Sequence, residues 1–153
     1  MKFFTTIVVL LVLCTVSGFS QTQKAVQPEA TPLFASYPGT ISCKEAELNT
    51  IFQSLSGQNI TVTLSGKQYF SGTVVNNAAR HKNLQYIAIR LTALNNAVLS
   101  LSKRMDENNN TFYIGHIISP KNSDSYELKH MTDGTYQFIK MDLEKLLPAC
   151  SPK

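Results

Sequence analysis

The stretch Asn59-Ile60-Thr61-Val62-Thr63-Leu64-Ser65-Gly66-Lys67 decides how this chain folds. Ile60, Val62 and Leu64 alternate with Thr61, Thr63 and Ser65, so one face is apolar and the other polar, the period of a half-buried strand. Most of these residues are β-branched and suit a pleated surface. Ser65-Gly66-Lys67 then turns the chain into a second strand from Tyr69 to Val75.

Upstream the period is that of a helix. Ala46, Leu48, Ile51, Phe52 and Leu55 fall at three- and four-residue steps and form one stripe, which predicts a helix over Cys43–Leu55. Ser42 followed by Glu45 fits a capping box, in which hydroxyl and carboxylate each satisfy an orphan amide. Ser56-Gly57 ends the helix. Residues 21–39 carry Pro28, Pro32 and Pro38 without any period and read as an extended or disordered leader.

Downstream, a polar loop over Asn76–Asn83 holds Arg80-His81-Lys82. Strands are expected over Leu84–Leu94, Val98–Lys103, Phe112–Ser119, Tyr126–Met131 and Tyr136–Met141. Asn95-Asn96, Asp106–Asn110 and Asp133-Gly134 supply the turns, since Asn and Gly accept the positive φ that tight hairpins demand. A short amphipathic helix, Leu143–Leu147, stops at Pro148. About seven strands joined by short links must pair antiparallel, because parallel neighbours need long crossovers. The expected class is therefore α+β: an N-terminal helix packed on an antiparallel, strongly bent or barrel-like sheet, a short C-terminal helix, and one domain over residues 40–153.

Met1-Lys2-Phe3-Phe4 followed by the apolar run Ile7–Val16 and the small residues Ser17, Gly18 and Ser20 is the pattern of a secretory signal. Residues 1–20 are expected to be cleaved, giving a secreted or periplasmic product. Spanning a bilayer takes about 20 apolar residues, and Ser17, Ser20 and Gln21 close the run early, so no stable membrane insertion is expected after cleavage. Cys14 leaves with the signal. Cys43 and Cys150 remain and are expected to form one disulfide in an oxidising compartment. Closing a loop of roughly a hundred residues stabilises by about 4–5 kcal/mol in the chain-entropy model. The formal net charge of +4 falls by one when Lys2 is removed, and so mild an excess argues against a nucleic-acid partner.

Leu99-Ser100-Leu101-Ser102-Lys103-Arg104, Tyr113-Ile114-Gly115-His116-Ile117-Ile118-Ser119 and Tyr126-Glu127-Leu128-Lys129, with a signal ending before Gln21, resemble small uncharacterised secreted proteins of Bacteroidetes-type bacteria. That resemblance implies a Gram-negative envelope. A helix followed by Ile60-x-Val62-x-Leu64, Gly66, Phe70-x-Gly72-x-Val74 and Asn83-Leu84 is similar to the first half of an Sm-like barrel, with Ile114-Gly115 matching its second half. What this implies is a small bent barrel. An exported chain is kept from RNA.

No catalytic motif stands out. G-x-S-x-G is absent; His81, His116 and His130 lack a short metal-ligand spacing, and the surviving cysteines make no C-x-x-C. No metal and no cofactor are expected. His116 shares the phase of Phe112, Ile114 and Ile118, and His130 that of Tyr126 and Leu128, so each is expected as a partly buried, hydrogen-bonded side chain. Asp106-Glu107 and Glu45/Glu47 are accounted for by turn and cap. Arg80, His81 and Lys82 form an electrostatic patch able to grip a phosphate, sulfate or sugar acid, or else a solvated loop; Lys103-Arg104 has the same two readings. Tyr69, Tyr86, Tyr113, Tyr126 and Tyr136 lie on strands, where they either stack on a glycan or peptide or close the core edge. The expected function is a non-catalytic secreted or envelope binding protein whose sheet face or 76–83 loop takes a protein or a carbohydrate. The alternatives are a small hydrolase or lyase using His116 or His130, and a structural envelope component. Oligomeric state is left open.

Overall fold

The computed structural model describes residues 31–65 and 67–143. Strand β1 (Thr40–Cys43) leads into helix α1 (Glu45–Ile51), and seven strands follow: β2 (Asn59–Leu64), β3 (Gln68–His81), β4 (Leu84–Leu91), β5 (Ala97–Met105), β6 (Thr111–Ile118), β7 (Asp124–His130) and β8 (Tyr136–Asp142). β2 to β8 run as one antiparallel meander, and β1 pairs with β8, giving the order β1-β8-β7-β6-β5-β4-β3-β2. The sheet curls into a half-barrel.

The chain is β-rich and antiparallel, as the alternation predicts, but the α+β class is corrected to a mainly β half-barrel that is only 10% helical. A helix packed at each end of the sheet does not describe it. Of the expected helix Leu143–Leu147, only Leu143 lies among the described residues. The helix that does form is shorter than its apolar stripe because β1 claims its start. Ser42 and Cys43 pair with Gln137 and Tyr136, so Ser42 sits in the ladder and cannot cap. The helix begins after Lys44, whose N–H donates to Glu47 Oε2 at 2.9 Å, the carboxylate half of a capping box two residues later than expected. Leu55 is 74% exposed and falls outside the packed stripe.

The polar loop expected over Asn76–Asn83 is also corrected. β3 continues through it to His81, with register shifts between Val74 and Asn76 and between Ala79 and His81. Each bulge slips the alternation by a residue, which is why the segment lacks a strand period. Three turns behave as their residues dictate. Asn95 and Asn96 have φ of 47° and 61°, and Asn109 and Gly134 have φ of 62° and 81°. In the last two hairpins the same bonds recur: Asp106 N to Asn110 O at 3.0 Å, and Met131 N to Thr135 O at 2.8 Å.

The concave face is filled by side chains. Val62, Phe70, Val74, Ile87, Ile89, Leu91, Leu99, Leu101, Ile117, Tyr126 and Phe138 are buried there with Leu48, Ile51 and Phe52 of α1 and its exit. α1 closes one mouth, with Phe52 against Tyr113 at 5.9 Å between centroids. The opposite mouth is closed by the described part of the leader. Phe34 is fully buried and packs edge-on against Tyr126 at 4.8 Å, while Tyr37 leans on Phe70. Asp124 accepts the Leu33 and Phe34 amides at 2.6 and 2.8 Å. Lys140 Nζ donates to the Phe34 and Tyr37 carbonyls at 2.5 and 2.7 Å, and the Tyr126 hydroxyl donates to the Pro38 carbonyl. Residues 31–39 are thus an ordered strap across the barrel mouth.

Candidate functional site

His81 pairs with Leu84, so Lys82 and Asn83 alone join β3 to β4. Met105 N donates to Asn83 O at 3.0 Å, which ties this hairpin end to the end of β5. Between them lies an open hollow of about 230 Å³ lined by Ala79, His81, Lys82, Asn83, Leu84, Gln85, Lys103 and Met105. Three nitrogen-bearing basic side chains line it, and none of the lining residues is acidic. The structure brings His81 and Lys82 together with Lys103; Arg80 is exposed and does not line the hollow, being the unpaired residue of the bulge between Ala79 and His81.

Lys103 is the residue that sequence reasoning did not join to this patch. It lies in the inward phase of Leu99 and Leu101, and its Nζ donates to Asn49 Oδ1 on α1 at 2.7 Å. A neighbouring lattice of amides fixes the helix exit. Gln85 Nε2 donates to Asn77 Oδ1 at 2.9 Å, and Asn77 Nδ2 donates to the Phe52 and Ser54 carbonyls at 2.9 and 2.7 Å. The signal for Lys103 and Gln85 is a polar residue at a position where the period calls for an apolar one; Asn77 turns inward only through the register shift after Val74 and has no such signal.

The remaining candidates are dispersed. His116 is exposed on the convex face, a correction to the partly buried expectation: its phase was read correctly, but that phase points away from the core. It stands in register between Ser100 and Glu127, a sequence of side chains that invites comparison with a hydrolytic triad. Glu127 instead pairs with Lys129 at 2.7 Å, and no hydrogen bond joins the three among the described residues. His130 is exposed as well, its ring tilted on Tyr136 at 4.8 Å. Among the described residues no three metal-ligating side chains converge. Asp106 accepts the Asn108 and Asn110 amides at 2.9 and 2.8 Å, and hydrogen bonds from Asn110 hold its carboxyl below the usual carboxylate range. Hydrogen bonds from Thr135 do the same for Asp133. Both acids are turn formers, as expected.

Of the strand tyrosines, Tyr113, Tyr126 and Tyr136 are buried and Tyr69 is 62% exposed. Burial pushes the Tyr113 and Tyr126 phenols up to about 12 from 10.0, with Glu45 and Asp124 as the next causes. Burial, and then Glu47, likewise pushes the Cys43 thiol up to about 12 from 9.0. All three groups hold their proton more tightly folded than unfolded, so the stability they lend is complete below the unfolded values and is lost as pH rises through the folded ones. The fold is therefore expected to weaken from about pH 9 to pH 12, with the Tyr113 and Tyr126 phenolates, followed by their own ring resonances, forming only as the near-ultraviolet circular dichroism collapses. A Tyr113 or Tyr126 phenolate that forms near pH 10 while the dichroism is intact would contradict the buried placement.

The chain matches no family model, no curated protein and no solved structure.

Proposed function

We propose that the protein is a non-catalytic secreted or envelope binding protein that takes an acidic carbohydrate at the β3–β4 hairpin end. The observation that carries this is the convergence of His81, Lys82 and Lys103 on one hollow without a lining carboxylate. Cations alone would suit any anion. Asn83, and the Oε1 of Gln85, whose Nε2 is already bonded to the Phe52 carbonyl and Asn77 Oδ1, add the polar atoms that read sugar hydroxyls. A single exposed ion pair contributes only about 0.2–1 kcal/mol, so one acidic residue binds weakly and a polymer presenting several gains by avidity.

Oligogalacturonate titrated into the full exported chain is expected to bind in a salt-sensitive way, while neutral dextran oligomers do not. The double variant Lys82→Gln/Lys103→Gln should weaken binding about three- to tenfold at unchanged melting temperature. Equal affinity for the neutral polymer, or indifference to both salt and the double variant, would defeat the reading.

Export completes the proposal. Removal of residues 1–20 would start the product at Gln21, and Cys43 would then bond to Cys150, which lies outside the described residues. Cys43 is buried beside Tyr136, and β8 ends at Asp142, so the bond needs the chain after Asp142 to climb back about 20 Å at strand rise. The buried thiol, protonated at neutral pH, reacts poorly, so the bridge has to form before the core closes. Intact mass of the exported protein is expected to show Gln21 as the first residue and the loss of two hydrogens; two thiols that alkylate without denaturant would refute the bridge.

A further inference from the structure

The lining of the basic hollow holds one sulfur atom, the thioether of Met105. The sequence has four methionines. Of the three among the described residues, Met131 and Met141 are half-buried and Met105 is 37% exposed. Met105 takes no part in the core cluster, yet its main chain is held on both sides: its N–H donates to Asn83 O at 3.0 Å, and its carbonyl accepts Asn83 Nδ2 at 3.5 Å. A chemical change at this side chain therefore acts on the hollow and leaves the packing of the half-barrel intact.

The surroundings favour an oxidised sulfur. Met105 lies two residues beyond Lys103 on β5, so the two side chains share a face and start about 7 Å apart along the strand. A thioether is a weak hydrogen-bond acceptor and gains little from a neighbouring cation. Its sulfoxide is polar, and the sulfoxide oxygen accepts charge-assisted hydrogen bonds from ammonium groups. The donors are in place. Lys103 Nζ directs one of its three protons to Asn49 Oδ1 at 2.7 Å and keeps two. Lys82 has no hydrogen bond or ion pair among the described residues, and no lining carboxylate competes for either lysine.

We infer that Met105 is an oxidation site for hydroperoxides that governs the hollow: the sulfoxide oxygen is taken up by Lys82 and Lys103 and so opposes an acidic ligand. In the reaction the Met105 sulfur lone pair forms the S–O bond while the peroxide O–O bond breaks. Sulfur gives up two electrons, the departing hydroxide takes the proton of the transferred oxygen, and the products from hydrogen peroxide are the sulfoxide and water. Dedicated reductases return methionine sulfoxide to the thioether, which reopens the site. The effect on ligand rests on the reading of the hollow as a sugar-acid site; the order of oxidation and the seat of the oxygen do not.

The test adds hydrogen peroxide in graded amounts to the full exported chain. Peptide mass mapping follows each methionine, amide and lysine side-chain resonances locate the change, and oligogalacturonate is titrated before and after. Met105 is expected to gain one oxygen at least threefold faster than Met131 or Met141, with shifts centred on Lys82 and Lys103 and an unchanged melting temperature. Affinity for oligogalacturonate should fall about two- to fivefold, the effect of cancelling one exposed ion pair. Met105→Gln, which carries a carbonyl oxygen in place of the sulfoxide oxygen, should bind as the oxidised chain does. Met105→Leu should bind with one affinity before and after peroxide. Oxidation of Met131 or Met141 ahead of Met105, shifts that miss both lysines, or an affinity unchanged at full Met105 oxidation would each overturn the inference, as would a Met105→Leu chain that peroxide weakens as much as the unmodified one. Failure of the unoxidised chain to bind oligogalacturonate would defeat the carbohydrate reading instead, and the order of oxidation and the lysine shifts would then decide where the oxygen sits.

Discussion

Phe34→Ala is expected to destabilise the fold by about 3–5 kcal/mol, the cost of emptying a fully buried phenyl site. Phe34 has no solvent exposure and lies in the barrel mouth between Tyr37 and Tyr126, so the vacated space is bounded by rigid strands and collapses poorly. The strap that carries it is held from below by polar bonds. Asp124→Ala should cost about 2–4 kcal/mol, because it leaves the buried Phe34 amide and the half-buried Leu33 amide without acceptors. Urea melts with unchanged m-value would measure both costs. Hydrogen exchange of the Leu33 and Phe34 amides should quicken in Asp124→Ala well beyond the global change. If Phe34→Ala costs less than about 1 kcal/mol, the strap is an appendage and the half-barrel closes without it.

The two variants also separate the strap's packing from its tethering. Phe34 sits near Asp124 in the same mouth, so the effects share partners and should not add. A double variant close in stability to Phe34→Ala alone would mean that the carboxylate serves to seat the ring. Additive losses would mean that the tether and the plug act independently.

How much of this was legible in the sequence depends on the distance between the groups involved. Alternation in Ile60–Leu64 or Phe112–Ser119 is a local property of the chain, and the strands lie where it puts them. β1 was invisible because Ile41 and Cys43 are only two inward residues, and their pairing partners Phe138 and Tyr136 belong to the far end of the chain. That same pairing removed Ser42 from the helix cap. Phe34 and Tyr37 were hidden by their proline-rich surroundings: a strap that lies across a barrel has no repeat of its own, and only the leader's two aromatic residues betray it.

The candidate site divides in the same way. Arg80, His81 and Lys82 are adjacent in sequence, yet adjacency along a strand puts neighbours on opposite faces, and the bulge before His81 decides which of them meet. Lys103 comes from another strand and was read as part of a separate basic pair with Arg104. Its inward phase was already visible in Leu99-Ser100-Leu101-Ser102-Lys103, where a charge occupies the next core position. Such a residue marks the point where a core face opens to water.

Gly115→Ala is expected to cost about 3 kcal/mol through overpacking, a large loss for adding one methyl group. Gly115 pairs with Leu101 and Leu128 on the concave face, and a Cβ there would stand 2.5 Å from the Ser100 carbonyl oxygen and closer still to Leu101 Cδ2. Gly72 is alike: its Cβ would meet the Arg90 carbonyl oxygen and approach Ile89 Cγ2 to 2.9 Å, and it pairs regularly with Ile60 and Leu91 without a bulge. Both glycines therefore serve the close approach of neighbouring strands. The backbone contact makes the origin of the loss testable. Leu101→Ala clears the side chain but leaves the carbonyl, so it should not rescue Gly115→Ala, and the double variant should be less stable than either single one. Gly39, with nothing within 4 Å of its would-be Cβ, is the control and should tolerate alanine within about 0.5 kcal/mol. Rescue by Leu101→Ala would mean that side-chain crowding alone, and not the approach of the Ser100 carbonyl, keeps residue 115 a glycine.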